Sequence, residues 1–555
     1  MKKLKLTAAL LALTLIAATV AGCGNSNGGG GGSGYVEDYT WSNEKITYTF
    51  YGSQPVFTTN EKDKVIKAIE DKFNVSIKLN YSSEWESRLS TIVNSNKKVP
   101  DVLFAIPDGA SFPLWAEKGY IVPFNNYLDK LESDGKATGA GGKSNLKTLF
   151  SAEHIDNATV GGKNYFAPQM TGISNHVLIV RKDWMSDWAT ANGKSADYYP
   201  VTITEFTDML KYFHTENKGG YTDGTFGLGL NENFDFTEDF LSAFGISPSY
   251  TKNSDGTYTL SAYTEKYDDY IEWLNDGTSQ GYIYPNFGGV TESATADNFK
   301  AGKIGAYITT CNYTLTNMIA TMATEYKKEA TFIPFPSSDD GQYVGSPVGD
   351  QYYWGGYCVS VNAKEPYRLI AILDYMMGEE GQELLTYGVE GVYYTKNADG
   401  TKTITEENFA NRNADGGKSL FITPNNYDVS ASAAYGEYNL GTVISPMKFK
   451  VVNGKVEYNT PYELMYDGGK EQKRYDEYVI GLEAAGKVNW RQPEFLIDKY
   501  KIVTINIACL DYAKTYTVQA ACGSKDKIAS FKAEMERSCS SKGIDSVLDY
   551  LKNAK

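Results

Sequence analysis

Three short apolar runs, separated by two amphipathic ones, limit what this chain can fold into more than any other stretch. Ile46 to Phe50 reads as a strand. Glu61 to Phe73 then puts Val65, Ile66, Ile69 and Phe73 on one helical stripe, with Asn60 and Asp63 suited to its start. Val75, Ile77, Leu79 and Tyr81 alternate as a second strand, and a helix near Glu84 to Ser95 aligns Trp85, Leu89 and Ile92. Pro100 halts the chain before the apolar strand Val102 to Ile106. Strand, helix, strand, helix, strand is the order of a parallel sheet covered by its own connections. Farther along, Pro366 opens a helix whose Leu369, Ile372, Leu373 and Met376 face inward, and Gly378 interrupts it. Asp255-Gly256 within Thr251–Leu260 and Asn453-Gly454 within Val451–Tyr458 are hairpin turns.

The start of the chain has a different character. Lys2, Lys3 and Lys5 precede an apolar run from Leu6 to Val20, and Val20-Ala21-Gly22-Cys23 closes it with small residues before a cysteine. This is the anatomy of a secretory signal peptide, too short to span a bilayer comfortably. The tetrapeptide resembles a bacterial lipobox, in which cleavage precedes an acylated cysteine. Asn25 to Gly34 follows as a Gly/Ser-rich tether, reaching at most ~36 Å for the eleven residues from Gly24. A plain signal peptide with a chance cysteine is the alternative. The expected mature chain begins at Cys23, lipid-anchored at the cell membrane on the extracytoplasmic side.

About 520 residues then remain, enough for two or three domains. After Val20 no apolar stretch is long enough for a transmembrane helix. A net charge of -15 argues against nucleic acid and against a face lying flat on anionic lipid. Forty-three tyrosines against three histidines favour recognition by aromatic faces and hydroxyls over imidazole chemistry. Besides Cys23 there are Cys311, Cys358, Cys509, Cys522 and Cys539. Their odd number leaves at least one unpaired within the chain, and no spacing fits zinc.

Several segments resemble family 1 extracellular solute-binding proteins, the ligand-capturing lipoproteins of ABC importers. These are IEDKFNVSIKLN, VPDVLFA and WAEKGYIVPFNNYLDKL in the first third, then GGKNYFAPQ (Gly161–Gln169), VLIVRKDWMSDW (Val177–Trp188) and Pro200–Phe206. FKAGKIGAY (Phe299–Tyr307) and the run Glu365–Tyr394 continue the series. Their order across most of the chain is more specific than any one of them, and the LipO-like subgroup, usually assigned oligosaccharides, is the most similar. The resemblance implies an α/β, periplasmic-binding-protein-like type II fold, with two α/β lobes around a ligand cleft and crossovers between them. The expected division is a signal peptide at 1–22 and a lipidated cysteine with tether at 23–40. The first lobe begins at 41–165 and is completed by about 300–360. The second begins at 166–299 and is completed by about 361–555.

Three motifs invite chemistry and are set aside. Gly277-Thr278-Ser279-Gln280-Gly281 has the GxSxG pattern of a nucleophile elbow, but Tyr282-Ile283-Tyr284-Pro285 follows directly, so it reads as a chance match in a loop. Thr138 to Ser144 resembles a phosphate loop but has Ala137 where a glycine is required, and reads as a flexible surface loop. Between His214 and Gly227, relatives often carry an Asp-rich calcium loop. Here only Glu216 and Asp223 are carboxylates and Lys218 adds a positive charge, so no metal is expected.

Asp350, Gln351, Tyr352, Tyr353 and Trp354 form the densest aromatic stretch, next to Gly355-Gly356. Glycines there would let backbone approach a ligand, aromatics would stack on sugar rings, and Asp350 and Gln351 would take hydroxyls. The competing reading is an aromatic strand packed into a core. Trp273, Trp115 and Trp85 are further ligand candidates that also suit helix packing, and in Tyr387–Tyr394 Glu390, between two glycines and near Tyr394, reads as a hydroxyl acceptor or a structural turn. Trp184 and Trp188 read as core. The function implied is capture of a small polar ligand, an oligosaccharide first and a peptide second, by a monomer that delivers it to an ABC permease. No catalysis or cofactor is expected, and no membrane contact beyond the lipid. The alternative class is a secreted carbohydrate-active enzyme, for which no persuasive acid/base pair is present.

Overall fold

A computed structural model of the chain describes residues 35–52, 64–81, 85–94, 99–105, 111–152, 159–170, 176–231, 237–285, 287–310, 319, 322, 328–346, 353–398, 402–403, 448–453, 455–459, 480–481, 483–488 and 497–553. Cys23, the leader and all but the last residues of the 23–40 segment lie outside these.

The expected alternation is present. β1 (Ile46–Gly52) runs parallel to β2 (Val75–Tyr81) along its full length, from Ile46 opposite Val75 to Gly52 opposite Tyr81. Between them α1 (Lys64–Phe73) buries Val65, Ile66, Ile69 and Phe73, the four positions of its stripe. α2 (Trp85–Asn94) leads to β3 (Val102–Ala105), which is parallel to β1 and buried throughout. α3 (Ser111–Glu117), α4 (Asn125–Ser133) and α5 (Asn145–Phe150) follow, and then β4 (Phe166–Met170).

A second sheet starts at β5 (His176–Arg181), followed by α6 (Lys182–Ala191), α7 (Ile203–Thr215) and β6 (Phe226–Gly229). A 3-10 helix, Thr237–Phe244, precedes the hairpin Tyr250–Lys252/Tyr258–Leu260, which turns at Gly256 with φ +83°. Then come α8 (Glu265–Gln280), α9 (Glu292–Ala301), β7 (Ile304–Thr310) and β8 (Ala330–Ile333). The strand order is β8-β5-β7-β6, with β5 antiparallel to both neighbours and β7 parallel to β6. Threonine N-caps begin the long helices: Thr202, Thr264 and Thr291 each accept a backbone N–H from the first turn of α7, α8 and α9.

β9 (Tyr353–Val359) returns to the first sheet and lies antiparallel between β3 and β4, giving the order β2-β1-β3-β9-β4. α10 (Pro366–Met376) is buried on every side, well beyond the four inward positions its sequence indicates. It anchors in the first lobe through the buried Arg368, which donates to the carbonyl of Glu44 (2.8 Å) and pairs with Glu365. Asp374 likewise accepts from Ser144 Oγ (2.6 Å) and Leu146 N (2.9 Å) at the start of α5. α11 (Glu379–Tyr387) follows. At the C-terminus α12 (Tyr500–Cys522), α13 (Ile528–Lys542) and α14 (Asp545–Asn553) cover the second lobe, sharing one core with α7, α8 and β5. The hairpin Lys448–Val452/Lys455–Asn459 forms as expected.

The lobe boundaries differ from those read in the sequence. β4 belongs to the first sheet, so that lobe runs past 165 to Met170. β7 and β8 hydrogen-bond to β5, so 304–333 completes the second lobe and only β9 returns to the first. α10 and α11 stay with the first lobe and do not complete the second. Local periodicity marks where strands are; which strands pair is decided by long-range hydrogen bonds that it does not record.

Candidate ligand-binding cleft

In each sheet the strands share an edge at which most of them end. In the first, β1, β2, β3 and β4 all end on one edge, at Gly52, Tyr81, Ala105 and Met170, where the antiparallel β9 begins at Tyr353. In the second, β6, β7 and β8 end at Gly229, Thr310 and Ile333 on the edge where β5 begins at His176. The chain passes from Met170 to His176 in a segment that spans at most ~22 Å, so these edges adjoin. Ligands of open α/β sheets sit beyond the carboxyl ends of strands.

Asp350, Gln351 and Tyr352 lie outside the described residues. Tyr353 and Trp354 are the first two residues of β9 on this edge, with their side chains outside the description. The ladder slips between Tyr353 and Gly355, so Trp354 sits in a bulge, a device that re-aims side chains near binding sites. The two glycines do something other than admit a ligand. A Cβ on Gly355 would overlap the ring of Phe104, and one on Gly356 the ring of Phe166, so they make room for core aromatics of the flanking strands. Tyr357 and Cys358 continue that core.

A cavity of about 340 Å³ opens beside His176, between the 3-10 helix, α8 and α12. His176 Nδ1 lies 3.1 and 3.2 Å from the two carboxylate oxygens of Asp239, which is fully buried. Ser346 Oγ donates to the same carboxylate, and Ser242 Oγ to the carbonyl of Gly345. Asp239 thereby ties the outgoing crossover, at His176, to the returning one, just before β9.

Glu238, Asp511 and Lys514 lie on the cavity wall and reach solvent. Among the described residues none hydrogen-bonds or ion-pairs with these three side chains. Protein surrounding Glu238 strips water from its carboxyl and, helped by Asp239 and opposed by Lys514, pushes its pKa up to about 7. Desolvation raises that of Asp511 as well, again against Lys514. Tyr267 and Tyr270 supply aromatic wall, the Tyr267 hydroxyl meeting Thr517 Oγ1 at 2.8 Å. Two carboxylates, an ammonium and tyrosine rings in one concavity can hold a ligand by hydroxyl hydrogen bonds and ring contact.

The sequence candidates fall elsewhere. Trp115 is 1% exposed on α3, so it is packing and not ligand surface. Trp273 is wedged among Phe240, Phe244 and Tyr270, and its Nε1–H donates to Thr207 Oγ1 (2.9 Å), which uses its polar atom inside the second lobe. Trp85 opens α2, its side chain outside the description. Glu390 and Tyr394 line a different cavity, against the second half of α1 and α11, where the Tyr394 hydroxyl donates to Glu383 (2.7 Å). Trp184 and Trp188 are core, as their spacing indicates. Glu238, Asp511 and Lys514 carry no sequence motif; only their three-dimensional juxtaposition marks them.

The set-aside motifs resolve structurally. Gly277–Gly281 is the last turn of α8, not a loop, with Gly281 as its left-handed cap (φ +84°). Thr138–Ser144 is a surface turn ending in Ser144, which is buried and caps α5. The calcium loop lacks its ligands. Lys303 pairs with Asp223 and lies over the Tyr221 ring, Lys218 pairs with Asp187, and the Asn217 amide oxygen accepts from Thr225. An ammonium takes the carboxylate a calcium ion would need, so these residues do not fit the metal. Cys358, Cys509, Cys522 and Cys539 are free thiols, and Cys311 lies outside the described residues.

A chain that crosses three times between two α/β lobes, with a polar and aromatic cavity beside the strand-end edge of the second sheet, is built as a two-lobed ligand-binding protein. Residues 64–406 match the family model of the bacterial extracellular solute-binding proteins, and this chain belongs to that family. It is a binding protein and not an enzyme. It is 25% identical over 333 residues to the polygalacturonan/rhamnogalacturonan-binding protein YtcQ of Bacillus subtilis. That match covers 58% of this chain and 62% of the relative, less than two thirds of the relative's length. The chain is similar in structure to the alginate-binding protein AlgQ2 without calcium ion, at TM-score 0.62, 16% identity and coverage of 94% of this chain and 99% of that one. It is also similar to the S. pneumoniae ABC-transporter substrate binding protein FusA in complex with kestose, at TM-score 0.60 and 16% identity, covering 92% and 98%. These likenesses establish the type II periplasmic-binding-protein-like fold.

Proposed function

We propose that this chain is a lipid-anchored extracytoplasmic receptor that captures an oligosaccharide between its lobes and delivers it to the permease of an ABC importer, acting as a monomer. The observation that carries the reading is the wall of the cavity beside His176, at the strand-end edge of the second sheet. Glu238, Asp511 and Lys514 stand there with no hydrogen-bond or ion-pair partner among the described residues, beside Tyr267 and Tyr270. Such groups suit a hydroxyl-rich ligand, because a carboxylate accepts two hydroxyls and an aromatic wall takes the C–H face of a sugar. YtcQ, AlgQ2 and FusA are named for, or bound to, polymeric or oligomeric sugars, which supports the same class. Ligand that touches both lobes favours the closed state by its differential affinity. Val20-Ala21-Gly22-Cys23 supports acylation at Cys23, after which a Gly/Ser tether would let the lobes stand off the membrane.

A thermal-shift panel of oligosaccharides and peptides tests the ligand class. Stabilisation by at least one oligosaccharide, rising with its concentration, is expected. Stabilisation by peptides alone would transfer the site to the peptide class. Cys23→Ala is expected to move the protein from the membrane fraction to the soluble one; retention after detergent-free washing would remove the anchor from the proposal.

A further inference from the structure

We infer that Cys509 and Cys539 form a modification site, a disulfide that staples α12 to α13 over the second lobe. The inference is independent of the ligand. Cys509 lies roughly 20 Å before α12 ends at Cys522, and Cys539 roughly 17 Å after α13 begins at Ile528. Only the short turn through Lys525–Lys527 joins these two packed helices, so the cysteines stand at one level of a helical hairpin. Each sulfur lies against the backbone of the other residue. Cys539 Sγ is 3.7 Å from the carbonyl oxygen of Cys509, and Cys509 Sγ is 4.0 Å from that of Cys539. The thiols also hydrogen-bond to one another. That contact, with burial, pushes the Cys509 thiol up, and the same contact holds the Cys539 thiol down. Such reciprocal approach turns the two Cβ–Sγ bonds toward each other, as a disulfide requires. The other described thiols are elsewhere: Cys358 is on β9 in the first sheet, and Cys522 is roughly 20 Å along α12 from Cys509.

The oxidant is a small-molecule disulfide. While α12 and α13 are apart, one cysteine thiolate attacks it, forming a mixed disulfide and releasing one external thiol. The second cysteine gives up its proton, attacks the protein sulfur and releases the other. Two protein thiols thereby lose two electrons and two protons, and one external disulfide becomes two thiols. Docking of the helices then buries the bond, since both positions are fully enclosed in the second-lobe core. The bond closes a loop whose ends are 30 residues apart, which restrains the unfolded chain. It also fixes α12, whose Leu510, Asp511 and Ala513 line the cavity beside His176.

The test is disulfide mapping of the whole chain. It is equilibrated with oxidised glutathione or with dithiothreitol, in enough denaturant to let the helices open. The denaturant is then removed for melting, and a second portion is fully unfolded, alkylated with N-ethylmaleimide and digested. The oxidised sample should yield a linked Cys509–Cys539 peptide, lighter by two hydrogens than its reduced parts, with Cys358 alkylated. It should melt about 4 °C above the reduced sample. Cys509→Ala and Cys539→Ala, each alone, should lose both the linked peptide and the effect of oxidant on the melt. Mapping the unaltered chain decides the bond even where a variant folds poorly. Alkylation of both cysteines after oxidation, mixed disulfides with glutathione alone, or a bond from either cysteine to a different one overturns the inference. A linked chain that melts no higher than the reduced one overturns the staple.

Discussion

Replacing Glu238 by glutamine isolates what it costs the fold to hold a carboxylate on the cavity wall. The folded protein raises this pKa from 4.5 to about 7. An acid with a raised folded pKa keeps its proton more readily when folded, so its contribution to stability is whole below 4.5. That contribution drains away as pH climbs through about 7, above which the cost of the ionised carboxyl is fully present. For a carboxyl shut off from water the rise corresponds to ~3 kcal/mol. Because the side chain still reaches water, screening reduces it to about 1 kcal/mol. Glutamine has the same shape and no charge. Without ligand, Glu238→Gln should therefore melt with the wild type at pH 4.5 and about 2 °C above it at pH 8, in calorimetry at constant ionic strength. The same variant should bind its sugar about fivefold more weakly, because a neutral amide accepts hydroxyls less strongly than a carboxylate. A variant that melts below wild type at pH 8, or that is shifted equally at both pH values, would refute the assignment of Glu238 as a strained site carboxylate.

Three further outcomes are expected. Millimolar calcium should leave the melting temperature where it was; a rise that chelator reverses and Asp223→Ala abolishes would show that the Lys303–Asp223 loop still takes the metal. Trp273→Ala should cost about 3 kcal/mol of stability and leave sugar affinity intact, so lost binding with an unchanged melt would return Trp273 to the site. Trp354→Ala should weaken sugar binding by roughly thirtyfold with a near-normal melt, as for a stacking aromatic in a desolvated site. Normal binding with a melt many degrees lower would instead place Trp354 in the core.

The elements were legible wherever burial follows local period. Val65, Ile66, Ile69 and Phe73 are all buried on α1, and the Asp255-Gly256 turn closes its hairpin. What escaped was everything decided by distant partners. Gly355 and Gly356 look like ligand-admitting residues until Phe104 and Phe166, far off in sequence, are seen to fill the space above them. Trp273 looks like a recognition aromatic until Thr207 takes its N–H. The cavity draws Glu238, Asp511 and Lys514 from segments about 270 residues apart, and no spacing rule links them.

The order of strands also fixes when the molecule can become whole. β9 pairs with β4 across about 180 intervening residues, and closing so long a loop is entropically costly unless what lies between is already compact. The intervening stretch holds all four strands of the second sheet, so prior folding there shortens the effective gap that β9 must cross. Yet that second lobe is roofed by α12, α13 and α14, which follow β9 in the chain and whose Cys509, Tyr516, Ala520 and Val547 complete its core. Each lobe thus waits on a segment that follows part of the other: the first on β9 and α10, the second on α12 to α14. A nascent chain would therefore close its first lobe at β9 and α10 while the second lobe, and the cavity between the 3-10 helix and α12, still awaited helices encoded about 120 residues later.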